Sequence, residues 1–319
     1  MAKRGMAPPD VPDVPDVIVV TGPTASGKSA LALEIARRRN GTVINADAMQ
    51  TYDAFPILTA QPTAAERAEQ PHRLYGVLPL DESLSAARWR TLADAEIARC
   101  RGEGRLPILC GGSGLYLRAL MLGLSTVPEV PVEVRAEANA EWALLGADAF
   151  RARLADRDPE IVARLKHGDR QRHVRAWEVL VSTGRPLSQW QTGVSTPSRW
   201  RFATLLLAPD RTWLRERIAA RFDTMLEQGV VAEAKAVFDR APDPGAPGLK
   251  AHGAPAFFRH FRGELALDDV RRIAIDHTRQ YAKRQMTWFR HQMALDFVVD
   301  PSVSCIWAEL EKYLDKIGV

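Results

Sequence analysis

Gly22-Pro23-Thr24-Ala25-Ser26-Gly27-Lys28-Ser29 has the spacing G-x-x-x-x-G-K-S, that of a loop whose backbone N–H groups close around a phosphate. Lys28 adds a mobile cation, and the Ser29 hydroxyl can hold Mg²⁺ or a phosphate oxygen. The loop announces a polyphosphate but specifies neither which one nor its fate. Asp47 closes the next short apolar run. A carboxylate there can take a proton from a ligand or cap the following turn, and position alone does not separate the two. Gly111-Gly112-Ser113-Gly114 is a second glycine-rich stretch. Backbone and hydroxyl can approach a ligand closely at such a place, and a tight turn needs the same residues. The apolar run before it carries no acidic pair, so the Asp with which hydrolysing P-loop proteins hold Mg²⁺ is missing.

Positioning these residues takes a particular set of elements. Val17–Val20 reads as a buried strand, and the Leu31/Ile35 spacing after the loop reads as a helix. A strand–loop–helix context is what the phosphate motif requires, with the positive end of the helix dipole on the anion. Thr42–Asn45 and Leu106–Cys110 read as further buried strands and Arg73–Val77 as a short one, with 53–72 a polar loop. A helix is expected over Ser85–Arg101, with Leu92, Ala95, Ile97 and Ala98 inward, and another over 115–122. Phe202–Leu207 returns to the sheet. Trp213–Gln228 is a helix with Leu214, Ile218, Phe222 and Met225 on one face, Arg221 beside them, and Gly229 as its stop. Residues 241–255 form a Pro/Gly loop. A long basic helix follows over 268–293, without an acid between 278 and 293, and then an edge strand within 296–300.

Between the two strand-bearing parts the character changes. Val127-Pro-Glu-Val-Pro131 is a linker signal, and 132–199 is helical in pattern. Arginines crowd this stretch with acids among them, which suits either a solvated ion-paired face or contact with a phosphate backbone. The expected architecture is an α/β, P-loop kinase-like parallel sheet flanked by helices, carrying an all-helical insertion domain. Its parts are a disordered lead-in (1–16), a core (17–125 and 200–319) and the insertion (126–199).

A 46% apolar share and a net charge of +4 over 319 residues suit a folded protein and permit a nucleic-acid partner. Cys100, Cys110 and Cys305 are scattered and odd in number, which argues against a disulfide framework or a zinc knuckle and fits the cytoplasm. The first sixteen residues lack the apolar stretch of a signal peptide, and no apolar run approaches the length of a membrane span. No apolar seam stands out, which favours a monomer.

The chain resembles the tRNA dimethylallyltransferases (isopentenyl-diphosphate:tRNA transferases) of the bacterial type. The likeness rests on the Gly22–Ser29 loop, Asn45-Ala-Asp-Ala-Met-Gln50 with Tyr52, Pro71-His-Arg73, Gly111-Gly-Ser-Gly-Leu-Tyr116, Gln171-Arg172 through Arg175-Ala-Trp-Glu178, Thr183-Gly184, and Thr278-Arg-Gln-Tyr-Ala-Lys-Arg-Gln285 with Thr287-Trp288. It covers roughly residues 17 to 290, in the family's order. The resemblance implies transfer of a dimethylallyl group from its diphosphate to the exocyclic amine of the adenosine 3′ of the tRNA anticodon. It implies that the Gly22–Ser29 loop, with Mg²⁺ at Ser29, binds the diphosphate. Asp47 is implied as the base for the amine, Ser113 as a contact of the reaction centre and Arg221 as a partner of the diphosphate. Asp47, Ala48, Met49 and Gln50 with Arg135, Gln171, Arg172 and Arg175 are implied to meet the anticodon arm. Two positions depart from the family: Gln61 stands where a lysine is usual, and Ala254 follows Gly253 where a tyrosine is usual. Other classes remain open on the residues alone: a small-molecule P-loop kinase, an RNA-binding module with a relic loop, and a prenyltransferase acting on free adenylate.

Overall fold

The strand that leads into the phosphate loop lies inside a parallel six-stranded sheet. The computed structural model describes residues 14–125, 127–192, 196–302 and 306–319. They divide into two compact units, one of residues up to Met121 together with Ser198–Val319, the other Leu122–Pro197. The helical unit thus begins and ends slightly earlier than the expected 126–199.

The first unit contains β1 (Val17–Thr21), α1 (Lys28–Arg38), β2 (Gly41–Asn45), α2 (Ala64–Glu69), β3 (His72–Arg73), α3 (Ala86–Gly102), β4 (Leu106–Gly111) and α4 (Gly114–Leu122). The second holds α5 (Val132–Ala155), α6 (Pro159–Arg164), α7 (Arg170–Thr183) and α8 (Leu187–Gln191). The chain then returns to the first with β5 (Phe202–Leu207), α9 (Arg211–Glu227), α10 (Val230–Phe238), α11 (Ala254–Phe261), α12 (Leu267–Gln292), β6 (Phe297–Val299) and α13 (Ile306–Lys316). Strand order is β3-β2-β4-β1-β5-β6. Every residue of β1 and β2 is buried, as befits a parallel sheet covered on both faces. The register sets Val20 and Asn45 both beside Cys110, and Thr21 beside Gly111. The carboxyl ends of β1, β2 and β4 are therefore level. The phosphate loop, Asp47 and the Gly111–Gly114 turn leave the sheet side by side, at the edge where open α/β sheets bind ligands.

Several expectations are corrected. Arg73–Val77 is not a strand, because Leu74 and Gly76 take φ of 63° and 59°; pairing ends at Arg73. The loop expected over 53–72 contains α2, started by a capping box in which Thr63 and Glu66 bond each other's backbone N–H. The buried stripe of α3 is Trp89, Ala93, Ile97 and Cys100. Ile97 belongs to it, but Ala95 is exposed and Leu92 and Ala98 are only half-buried. The α9 stripe is Leu214, Ile218, Phe222 and Met225, as its spacing indicates, with Gly229 at φ 94° after it. Helices α10, α11 and α13 have no counterpart in the expectation. Of the lead-in 1–16, residues 1–13 lie outside the described residues, as does Cys305. Asp16 is ordered: its N–H donates to the Arg201 carbonyl at 2.9 Å, and its carboxylate accepts the Arg201 N–H at 3.0 Å.

In the second unit, α5 is two helices joined at Gly146, whose φ of 73° only glycine adopts easily. Phe150, Leu154, Val174 and Trp177 are among its core residues. Asp158, 1% exposed, accepts N–H groups from Ile161 (3.1 Å) and Ser188 (3.0 Å), so one carboxylate caps the starts of α6 and α8.

Candidate active site

Two glycines shape the phosphate loop. A Cβ on Gly22 would lie 2.8 Å from the Leu207 carbonyl oxygen, and Gly27, at φ 91°, is the N-cap of α1 without a side-chain cap. The first N–H groups of α1 therefore have no side-chain oxygen on them and point where an anion would sit. Lys28 is 7% exposed, and its Nζ has one long bond, 3.4 Å to the Pro23 carbonyl. Burial pushes its ammonium pKa down and Arg221 adds to this, while the charges of Asp47 and Cys110 oppose it. Such a cation lacks an adequate partner in the chain itself. Ser29 is exposed at the first turn of α1, above the buried Cys110 thiol. Burial raises that thiol's pKa to about 11. The side chain of Ser26 is fully buried and its Oγ has no partner.

Asp47 is held by its own strand end. Its N–H donates to Asn45 Oδ1 at 2.7 Å, and Asn45 Nδ2 donates back to the Asp47 carbonyl at 2.9 Å. Its carboxylate accepts the Met49 N–H at 3.0 Å, which is the turn-capping role the sequence allowed. One oxygen does this, and the other is available for further chemistry. Ser113 meets the same segment: its Oγ accepts the Ala48 N–H at 2.9 Å, and its N–H donates to the Ala46 carbonyl at 3.1 Å.

The glycines of the second turn each face a different partner. A Cβ on Gly111 would lie 2.1 Å from the Ala46 carbonyl carbon, on Gly112 2.0 Å from Gln285 Nε2, and on Gly114 2.2 Å from the Trp288 ring. Gln285, 4% exposed on α12, accepts the Thr24 N–H at 2.9 Å and donates to the Gly112 carbonyl at 3.0 Å. It bolts the phosphate loop to the Ser113 turn. One helical turn earlier, the Tyr281 hydroxyl lies beside the side chains of Ser113 and Gln285.

A cavity opens beside these groups. Thr24, Ala25, Asp47, Met49, Leu58 and Thr59 line one side; Ile218, Arg221, Phe222, Met225, His252, Thr278 and Tyr281 line the rest. It is continuous in composition with a groove lined by Gly27, Lys28, Ser29, Arg217 and Thr224, for both share Ala25 and Arg221. The groove is cationic, and the cavity combines an apolar wall of Met49, Leu58, Ile218, Phe222 and Met225 with the polar groups of Asp47, His252 and Thr278. Arg221 stands between them, its charge penalised by burial and favoured by Asp47. Asp47, Ser113, Arg221 and the Gly22–Ser29 loop are thus brought together. Sequence reasoning missed Arg217, four residues before Arg221 on the same face of α9, a spacing that could have found it. It also assigned no role to Tyr281 and Gln285, although both fall inside a segment that carried the resemblance.

The model of the IPP transferase family matches residues 50–292. The chain is 51% identical over 293 residues to the tRNA dimethylallyltransferase of Rhodospirillum centenum, covering 91% of this chain and 93% of that one. It is 50% identical to that of Acidiphilium cryptum, covering 91% and 87%. The chain belongs to the IPP transferase family. Among solved members, the tRNA isopentenylpyrophosphate transferase of Bacillus halodurans superposes with a TM-score of 0.68 at 30% identity, over 94% of this chain and 95% of that one. A eukaryotic dimethylallyltransferase acting on tRNA superposes at 0.76 and 26% identity, over 89% and 73%.

Within this IPP transferase the residues expected to meet tRNA fall in two places. Asp47, Ala48 and Met49 are half-buried at the rim of β2. Gln50 is 9% exposed, and its amide donates to the Thr59 and Ala60 carbonyls at 2.9 and 2.8 Å. Its side chain braces the cavity wall instead of facing outward. Arg135 on α5 and Gln171 and Arg172 on α7 are exposed, and Arg175 is half-buried against Glu178 at 3.2 Å. These four belong to the helical unit. At the two departures from the family pattern, Gln61 donates to the Tyr52 carbonyl at 2.7 Å, and Ala254 is fully buried.

For Mg²⁺ the donor set is sparse: no group of three His, Cys, Asp or Glu side chains clusters among the described residues. Mg²⁺ characteristically keeps waters and takes one or two protein oxygens together with substrate phosphates. The exposed Ser29 hydroxyl, one residue from Lys28, fits a cation that arrives with a diphosphate.

Proposed function

We propose that the chain transfers a dimethylallyl group from dimethylallyl diphosphate to N6 of the adenosine 3′-adjacent to the tRNA anticodon, releasing diphosphate. The observation that carries this is the junction at Arg221: a cationic groove on one side, a cavity with an apolar wall on the other, and Asp47 lining that cavity. The diphosphate lies on the loop amides, Lys28, Arg217 and Arg221. The five-carbon group lies against Met49, Leu58, Ile218, Phe222 and Met225.

Each group then has a chemical task. As the allylic C–O bond breaks, negative charge grows on the leaving diphosphate, and fixed cations and N–H groups stabilise it there. Mg²⁺, when bound at Ser29, adds charge neutralisation on the same oxygens. The adenine amine is a poor nucleophile because its lone pair is conjugated with the ring. Asp47 accepts the N6 proton as the new C–N bond forms. Ser113 and Tyr281 border the approach of the base, which leaves the anticodon-loop stack to reach the cavity. The arginine-bearing faces of α5 and α7 meet the phosphates of the anticodon arm. One chain supplies every group named here, so it acts as a monomer, in the cytoplasm where its tRNA is found.

The test uses purified protein, Mg²⁺ and labelled dimethylallyl diphosphate with either unmodified tRNA or AMP, and the Asp47→Ala variant alongside. Label entering tRNA and largely lost in the variant is the expected result. Label entering AMP would move the activity to the free-nucleotide enzymes. ATP turnover without label in either acceptor would return the chain to the kinases.

A further inference from the structure

One wall of the cavity is built in an unusual way. Residues 55–61 form neither helix nor strand of their own, yet Leu58 is 7% exposed and, with Thr59, faces the cavity. Buried backbone of this kind must bond somewhere. The N–H groups of Thr59, Ala60 and Gln61 turn back onto the carbonyls of Phe55, Ile57 and Pro56, at 2.9–3.0 Å, which leaves two for Glu233 on α10: Ile57 N–H donates to Oε1 at 2.6 Å and Leu58 N–H to Oε2 at 2.9 Å. Its carbonyls at Thr59 and Ala60 take the amide of Gln50. The two clamps pull from different elements. Leu58 also lies close to the backbone of Gly253, where a Cβ would come within 3.2 Å of its Cδ1. Ile218, Phe222 and Met225 of α9 line the same cavity and share a core cluster with Leu58.

Resting on the reading that this cavity holds the allylic group, we propose that Glu233 is a specificity-determining positioning residue. By fixing Leu58 and Thr59 it sets the cavity's width, and so admits the five-carbon allylic diphosphate while rejecting longer chains. Glu233 itself does not line the cavity. It acts through the wall. A carboxylate is the side chain that accepts two adjacent N–H groups with two equivalent oxygens. Glutamine offers one acceptor and turns an NH₂ toward the other N–H. The loop must then move away from α9 to hydrate the orphaned donor.

The experiment compares dimethylallyl with geranyl diphosphate on the same tRNA, for the wild type, Glu233→Gln and Glu233→Asp. Lys235→Ala serves as control, an exposed ion-pairing residue on the same helix. The quantity read is the ratio of kcat/KM for the two donors within one preparation, which a loss of folded protein does not alter. The ratio is expected to shift toward the longer donor by about tenfold in Glu233→Gln, the equivalent of ~1.4 kcal/mol. KM for dimethylallyl diphosphate should rise while KM for tRNA stays put, with a smaller shift in Glu233→Asp and none in Lys235→Ala. A parallel fall for both donors at constant ratio would overturn the proposal and leave Glu233 a stability residue. A wild type that prenylates tRNA with neither donor would overturn the underlying reading instead.

Discussion

The residues gathered here divide by whether their own surroundings satisfy them. Asp47 has one carboxylate oxygen engaged by Met49 and the other open to the cavity. Asp47→Asn keeps the cap geometry and removes the base, so kcat should fall about 10²–10⁴-fold while tRNA binding persists, as single-turnover and filter-binding assays can separate. Lys28 is the opposite case, a buried cation with one long bond. Lys28→Met should raise the melting temperature of the ligand-free protein, since an unpaired buried charge disappears. It should also lower kcat/KM by about 10²–10³-fold, the usual cost of losing a donor to developing charge. Histidines give the pH dependence. Burial first, then Arg284 and His277, hold the His252 imidazole below its usual 6.5, with Asp47 opposing; burial does the same for His72. A base whose pKa is depressed in the folded state supports folding above 6.5 and withdraws that support as pH falls through its folded value. Denaturation midpoints should therefore drop below pH 6.5, and a His72→Gln/His252→Gln double variant should show a flatter acid limb.

At the level of elements, α12 joins the phosphate loop to the Gly111–Gly114 turn and so makes them one site. The 26-residue helix is anchored to α9 by the Arg271 fork on Asp223, at 2.6 and 2.8 Å, and it reaches Thr24, Gly112 and Gly114 through Gln285 and Trp288. Gly112→Ala forces a methyl into Gln285 and should destabilise by about 1–3 kcal/mol, with activity falling further because the phosphate loop shifts. Gly146→Ala meets no atom within 4 Å and bears only the cost of a backbone conformation, φ 73° and ψ 174°, that is essentially glycine's own, about 1–3 kcal/mol, which thermal melts can set beside it. This is also where the sequence was least and most informative. The apolar runs of β1, β2, β4 and β5 and the α9 stripe state their own period, and the sheet follows from them. Local pattern could not say why Gly111, Gly112 and Gly114 are all glycine. A tight turn needs one such residue, whereas the other constraints arrive from Ala46 and from side chains some 170 residues away. Glu233 was silent for the same reason: a lone glutamate on a helix reads as solvated until the backbone it accepts from is known. The Thr63-x-x-Glu66 box, by contrast, is a local signal, since both of its bonds close within four residues.

Across the whole molecule, two sets of cationic groups bear on the proposed reaction. Lys28, Arg217 and Arg221 line the groove of the first unit, and the second carries arginines on exposed helix faces. Arg172, with its side chain 72% exposed and only Asp169 at 3.4 Å, is suited to a single phosphate contact. Arg172→Ala should weaken tRNA binding about uniformly across tRNAs and reduce the slope of log affinity against log salt by about one, read from titrations at several salt concentrations. The bond from Thr24 to Gln285 spans 261 residues. At synthesis rates of about 5–20 residues per second, the phosphate loop leaves the ribosome roughly 13–50 s before the glutamine that braces it. A nascent chain thus carries its phosphate-binding motif for most of its synthesis without a finished site. The enzyme becomes competent only once α12 has emerged and folded back, so a half-made copy holds the phosphate motif without the brace that finishes the site.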